Sequence, residues 1–190
     1  MILLTLDFDR IPPRSATSVY NGWMRTIILI AHNLRSCHNI GSLLRTAEGL
    51  GIQKVYLTGY TPFPMGQAGD ARLPHLAAKI DKQIHKTALD AEHQVAWEYI
   101  EDVTDVLHEL KQDHVTVMAV EQTASSIPLP EFEAPDKIAL LMGREVEGVE
   151  SEVLERCDGA LEIPMFGQKE SFNVVQAAAM AMYHCRFMVN

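Results

Sequence analysis

The sequence predicts an α/β fold built on a mainly parallel sheet with helices on both faces. Three observations carry this. Short β-rich apolar runs alternate with stretches of helical periodicity along most of the chain. The first such set, residues 26–57, has the strand–helix–strand spacing of a βαβ unit, and 190 residues suit one hydrophobic core.

In chain order, strands are expected at residues 26–31, 54–57, 95–99, 115–120, 138–142 and 160–163. Residues 40–50 read as a helix: Leu43, Leu44, Ala47 and Leu50 fall on one face, Asn39 can cap the start, and Gly51 suits the end. A second helix spans 103–111, with an apolar stripe at Val103, Val106, Leu107 and Leu110. The last, 172–188, is rich in Ala and Met. Its small face of Ala177, Ala178 and Ala181 allows close approach of another element, so it is expected to be deeply buried or part of a subunit interface. Residues 61–74 and 121–136, each with several prolines, show no clear periodicity and read as long connections of the kind that often carry function. Residues 1–25 read as a short arm, and 26–190 as the domain.

Composition narrows the class. With 47% hydrophobic and 22% charged residues the chain is ordinary globular material, and its apolar runs are far too short to span a bilayer. The start lacks a basic region and a cleavage site, so the cytoplasm is the expected location. Cys37, Cys157 and Cys185 form an odd set with no C-x-x-C spacing, and are expected to be free thiols. A net charge of -9 is unusual for a nucleic-acid binder, yet residues 1–60 carry six Lys or Arg against three acids. A polyanion could approach that first third, although the long-range field would not draw it in.

In open α/β sheets ligands bind beyond the carboxyl ends of the strands. Three such segments are dense in special residues. After the first strand, Asn33 and Asn39 flank a turn, Gly41 opens a helix and Arg45 follows one turn on. Backbone N–H groups and a guanidinium there could hold a phosphate, although the residue types by themselves favour a capping Asn39 and a solvated Arg45. After the fifth expected strand, Gly143 and Gly148 bracket Glu145, which would let backbone approach a ligand. After the sixth, Pro164 and Gly167 shape a loop that leads to Ser171 and Asn173 at the start of the last helix. No G-x-G-x-x-G, Walker A loop, H-E-x-x-H or G-x-S-x-G occurs, so dinucleotide, triphosphate, zinc-peptidase and acyl-enzyme chemistry have no support, and no metal is expected.

Taken together, the three segments resemble the SpoU/TrmH family of the SPOUT superfamily of RNA methyltransferases. Asn39-x-Gly41-x-x-x-Arg45-x-Ala47 is similar to its first motif and Gly143-x-Glu145-x-x-Gly148 to its second. Ile163-Pro-Met165 followed by Ser171-Phe-Asn173-Val174 is similar to its third. Two departures are visible: Phe172 stands where the family usually has leucine, and Arg144 where a small or amide residue is common.

The resemblance implies a C-terminal deep trefoil knot, here about residues 138–190. It implies S-adenosylmethionine as cofactor, no metal, and methyl transfer to a ribose 2'-OH of tRNA or rRNA. A knotted module that binds RNA or cofactor without catalysis is the alternative. Val120, Gly143, Ile163, Met165 and Phe172 would hold the cofactor, largely through backbone groups, while Ser171 and Asn173 would organise the site. Arg45 would activate the hydroxyl, either as a deprotonated base or as a cation that binds the adjacent phosphate and orients it. Asn39 would fix Arg45 or the ribose, and Glu145 would position both. The family's homodimer places the first-motif arginine of one subunit near the other's knot. RNA contacts are expected from Arg10, Arg14 and Arg25. Arg72, Lys79, Lys82 and Lys86 are added because they would share one face if their stretch were continuously helical.

Overall fold

In the computed structural model, which describes residues 25–188, seven strands form one sheet in the order β3-β2-β1-β6-β4-β7-β5. The strands are β1 (Thr26–His32), β2 (Lys54–Thr58), β3 (Trp97–Ile100), β4 (Thr116–Val120), β5 (Ile127–Pro128), β6 (Lys137–Met142) and β7 (Gly159–Glu162). Every pairing between them is parallel. The helices are α1 (Cys37–Gly49), α2 (Pro74–Ala88), α3 (Val103–Gln112), α4 (Ser151–Leu154) and α5 (Val174–Phe187). The expected arm, with Arg10 and Arg14, lies outside the described residues.

Alternation along a strand sends successive side chains to opposite faces, and β1 shows it. Ile27, Leu29 and Ala31 pack into one layer with Leu43, Leu44 and Ala47 of α1, Ile84 of α2, and Ala178, Ala181 and Met182 of α5. Ile28 and Ile30 pack into the other, with Val106, Leu107 and Leu110 of α3 and Val153 of α4. Both faces of the sheet are therefore covered, as an all-parallel sheet requires. The Ala/Met helix is buried on one side, where Ala178, Ala181, Met182 and Cys185 are fully enclosed, while Tyr183, Phe187 and Met188 remain exposed.

Several boundaries differ from expectation for local reasons. α1 starts three residues earlier, because Ser36 and not Asn39 is its cap: the Ser36 side chain accepts from the Asn39 backbone N–H at 3.2 Å. α5 starts at Val174 with Asn173 as cap, so Phe172 lies outside it. The stretch read as a loop up to residue 74 gives way to a 15-residue helix, α2, whose first residue is that proline. Arg72 therefore precedes the helix and does not share its lysine face. Its guanidinium pairs with Asp70, donates to the carbonyls of Phe63 and Pro64, and lies 3.4 Å from the centre of the Phe63 ring. Arg25 is likewise occupied, donating to the carbonyls of Cys185 and Met188 at the end of α5. Both guanidiniums, expected among the RNA contacts, thus have partners within the chain. All three cysteines are free. Burial pushes the thiols of Cys157 and Cys185 up to about 11 and about 12. Among the described residues no helix is long and apolar enough to cross a membrane.

Candidate active site

Because all strands run the same way, the loops that follow β1, β4, β6 and β7 emerge at one edge of the sheet. Between the last three lies a cleft of about 730 Å³, within the usual range for small-molecule sites. Val120, Gly143, Ile163, Met165 and Phe172 all line it, as do Glu145 and Ser171. These seven residues lie at or beyond the ends of β4, β6 and β7, and the pairing of β6 and β7 with β4 between them brings the three loops together. The walls are apolar at Val120, Leu161, Ile163 and Met165. The charged lining is unbalanced: Glu121, Glu145, Glu147, Glu162 and Glu170 face only Arg144 and Lys169.

The loop after β6 is a tight hairpin. Arg144 and Gly148 exchange two backbone hydrogen bonds of 3.1 Å each, and Gly148 has a φ of 72°, where glycine is at home. Its missing side chain also admits Glu121, since a Cβ would sit 2.2 Å from Glu121 Oε2; that oxygen accepts from the Val149 backbone N–H at 3.0 Å. Gly143, besides lining the cleft, is required by the hairpin itself. A Cβ there would lie 2.7 Å from the Gly148 carbonyl carbon and from the Val149 nitrogen, so its bareness closes the hairpin on itself. Gly41 lets α2 approach α1 closely, because a Cβ would meet the Ile84 carbonyl oxygen at 2.2 Å.

Three expected residues stand outside the cleft. Asn39 reaches its edge: Nδ2 donates to Glu145 Oε1 at 3.3 Å, which links the first and second motifs directly. Asn173 caps α5, its Oδ1 accepting from Val175 N–H at 2.9 Å. Arg45 is exposed on α1 and, among the described residues, has no hydrogen-bond or ion-pair partner. Lys79, Lys82 and Lys86 are exposed along α2, which packs against α1.

A network that the sequence reading missed sits beside the hairpin. Glu150 Oε1 accepts from Asn33 Nδ2 at 2.8 Å and from Arg144 Nη2. Buried His32 bonds Thr58 Oγ1 at 2.8 Å, and desolvation holds its pKa below the ordinary imidazole value. Asn33 at the turn after the first strand and Arg144's departure from the motif pattern were the sequence signals for this network.

An open parallel sheet with a cleft at its carboxyl edge, walled by three loops and short of cationic side chains, defines a ligand-binding α/β protein. Residues 26–183 match the SpoU rRNA methylase family, and the chain belongs to it. It is 28% identical over 160 residues to the 23S rRNA (guanosine-2'-O-)-methyltransferase RlmB of Neisseria meningitidis, a match that covers 84% of this chain and 58% of that protein. It is 26% identical over 165 residues to the tRNA (guanosine(18)-2'-O)-methyltransferase of Aquifex aeolicus, covering 85% of this chain and 69% of the relative. The chain thus spans a little over half the length of the first of these. Among solved structures, the SpoU methyltransferase AviRb of Streptomyces viridochromogenes in complex with AdoMet shares the fold, with a TM-score of 0.70 and 20% identity over 94% of this chain and 60% of that one.

Proposed function

We propose that this chain is an S-adenosylmethionine-dependent methyltransferase acting on a ribose 2'-OH of tRNA or rRNA. The observation that carries the proposal is the cleft itself: all five expected cofactor contacts, contributed by three separate strand ends, line one cavity in a member of the SpoU family. The donor set fits the cofactor. Five carboxylates against two cations suit a ligand that bears a sulfonium and an ammonium, and the apolar wall suits its adenine. Bound there, S-adenosylmethionine supplies an electrophilic methyl group.

The chain's own residues then have to present a hydroxyl and deal with its proton. Ser171 lies at the cleft and Asn39 at its edge through Glu145, so both can orient a ribose. Asn173 fixes where α5 begins, and thereby the path of the loop before it. Arg45, exposed and partner-free in its own chain, is available to a phosphate or 2'-OH at a neighbouring subunit's cleft. We accordingly propose a homodimer in the cytoplasm, with Tyr183, Phe187 and Met188 of α5 forming part of the contact. Residues 26–190 form the catalytic domain, and about 138–190 form a trefoil knot around the cofactor. Lys79, Lys82 and Lys86 supply backbone contacts to RNA.

The test is transfer of labelled methyl groups into unmodified tRNA and rRNA, followed by nucleoside mapping. Wild-type protein transfers label to a 2'-O position. Arg45→Ala loses at least a hundredfold in turnover while cofactor affinity by calorimetry stays within a few-fold. Absence of cofactor binding by the wild type, or full turnover by the variant, would refute the reading.

A further inference from the structure

Arg144 has a definite place in the structure. Its Nη2 and Asn33 Nδ2 converge on one oxygen, Glu150 Oε1. Asn33 is itself fixed from several sides. Its backbone is left-handed, with φ of 57°, and its Oδ1 accepts from the Tyr60 backbone N–H at 3.2 Å. Gly59 leaves room for that oxygen, since a Cβ there would lie 2.0 Å away. The other hydrogen of the Asn33 amide points to His32 Nε2 at 2.9 Å, which makes His32 Nε2 an acceptor and leaves Nδ1–H to donate to Thr58. The ends of β1 and β2 are thereby tied, through Glu150, to a hairpin that carries one wall of the cleft.

That hairpin has little else to hold it. Val146 at its tip is 90% exposed, and Glu145 and Glu147 are exposed as well. Among the described residues, apart from the closing pair of backbone bonds and the Asn39–Glu145 bond, its remaining hydrogen-bond anchor is Glu121 on Val149. The Arg144 and Glu150 side chains are only 32% and 27% exposed, so their charge-assisted bond is shielded more than a surface pair would be.

We propose that Arg144, Glu150 and Asn33 are positioning residues: they clasp hairpin 144–148 to the end of β1 and hold the cleft wall in the shape that receives S-adenosylmethionine. This rests on the assignment of the cleft to that cofactor. The clasp touches no reacting atom. It acts on the cofactor's affinity and leaves chemistry at saturating cofactor nearly unchanged.

Two variants that preserve the backbone test it. Glu150→Gln keeps size and removes charge, and Asn33→Gly suits the left-handed conformation while removing the amide. Hydrogen exchange on the full chain without ligand should show the Arg144 and Gly148 amides exchanging about tenfold faster or more in either variant, with amides of β1 and β6 unchanged. Calorimetry should show S-adenosylmethionine bound about tenfold more weakly, with KM for the cofactor rising to match and kcat within two- to threefold. Arg144→Lys should retain more affinity than Arg144→Ala. Unchanged exchange in the hairpin overturns the clasp, and so does faster exchange with unaltered cofactor affinity. A wild-type protein that binds no S-adenosylmethionine refutes instead the cleft's assignment, while exchange still decides whether the hairpin is held in this way.

Discussion

Replacing Gly41 by alanine sets two opposing effects against each other at one position. Alanine favours helix over glycine by roughly 0.5–1 kcal/mol, so an isolated α1 would gain. In the folded chain, the new Cβ would lie 2.2 Å from both the Ile84 carbonyl oxygen and Thr87 Oγ1, and 2.9 Å from the Ala88 nitrogen. The Thr87 hydroxyl can rotate away at the expense of its 2.8 Å bond to the His38 carbonyl, worth about 1 kcal/mol, but the two backbone atoms belong to α2 and cannot yield alone. α1 and α2 must separate by on the order of 1 Å, and overpacking of this kind costs about 1–3 kcal/mol. The sum is a net loss of about 1–3 kcal/mol. Gly49, in the last turn of the same helix, is the internal control: a Cβ there meets nothing within 4 Å, so Gly49→Ala should be neutral or stabilise by up to about 1 kcal/mol. Urea denaturation of the two variants measures both, read as opposite shifts in midpoint at constant slope. A Gly41→Ala protein as stable as wild type would show that the α1–α2 contact does not need the glycine.

Two further outcomes follow from charged groups. Arg72 holds the Asp70 carboxyl down to about 2, from an ordinary 3.8. Because the folded value is depressed, the pair's stabilisation is complete above about pH 4 and fades as pH falls through about 2. The melting-temperature gap between wild type and Arg72→Met should therefore narrow over that interval without vanishing, since the bonds of Arg72 to Phe63 and Pro64 remain. A gap that is constant with pH would remove Asp70 from the explanation. Arg186, 7% exposed, donates to the carbonyls of Leu50, Gly51 and Arg25, so Arg186→Met strands these acceptors. We expect a loss of about 2–4 kcal/mol, seen as a melting-temperature drop of roughly 5–15 °C; a change within about 2 °C would mean that water replaces the guanidinium freely.

The parts of this fold that can be read from sequence are those where burial dictates residue type. The central strands β1, β4 and β6 carry runs of Val, Ile, Leu, Ala and Met because both faces of the sheet are covered there, and those runs are visible without coordinates. α2 was harder to see: it starts on a proline, has no side-chain cap, and buries only Ala77, Ile84 and Ala88, so little apolar stripe announces it. β5 is two residues long and contains a proline. At the site, the residues expected to meet a cofactor do line one cavity, because strand ends that follow a parallel sheet share an edge. Tertiary ties were invisible. That Arg25 and Arg72 serve carbonyls, that Gly41 and Gly143 answer to neighbouring backbone, and that Glu150 gathers Asn33 and Arg144, all depend on segments distant in the chain.

The strand order also fixes when this protein can become itself. β1 lies beside β6, with Thr26 opposite Lys137 and Ala31 opposite Met142, over a hundred residues further along. A chain emerging from the ribosome can pair β1 with β2 early, but one whole edge of β1 stays open, its core-facing isoleucines and leucine half covered, until β6 has been made. Closing so long a loop costs chain entropy that only the later contacts offset, which makes slow, late consolidation the natural kinetic signature of this topology. The cleft comes later still: its walls need β7 and the start of α5, so no shorter nascent chain can form it. The sheet and the cleft at its edge are therefore complete only once β7 and the start of α5 have been made.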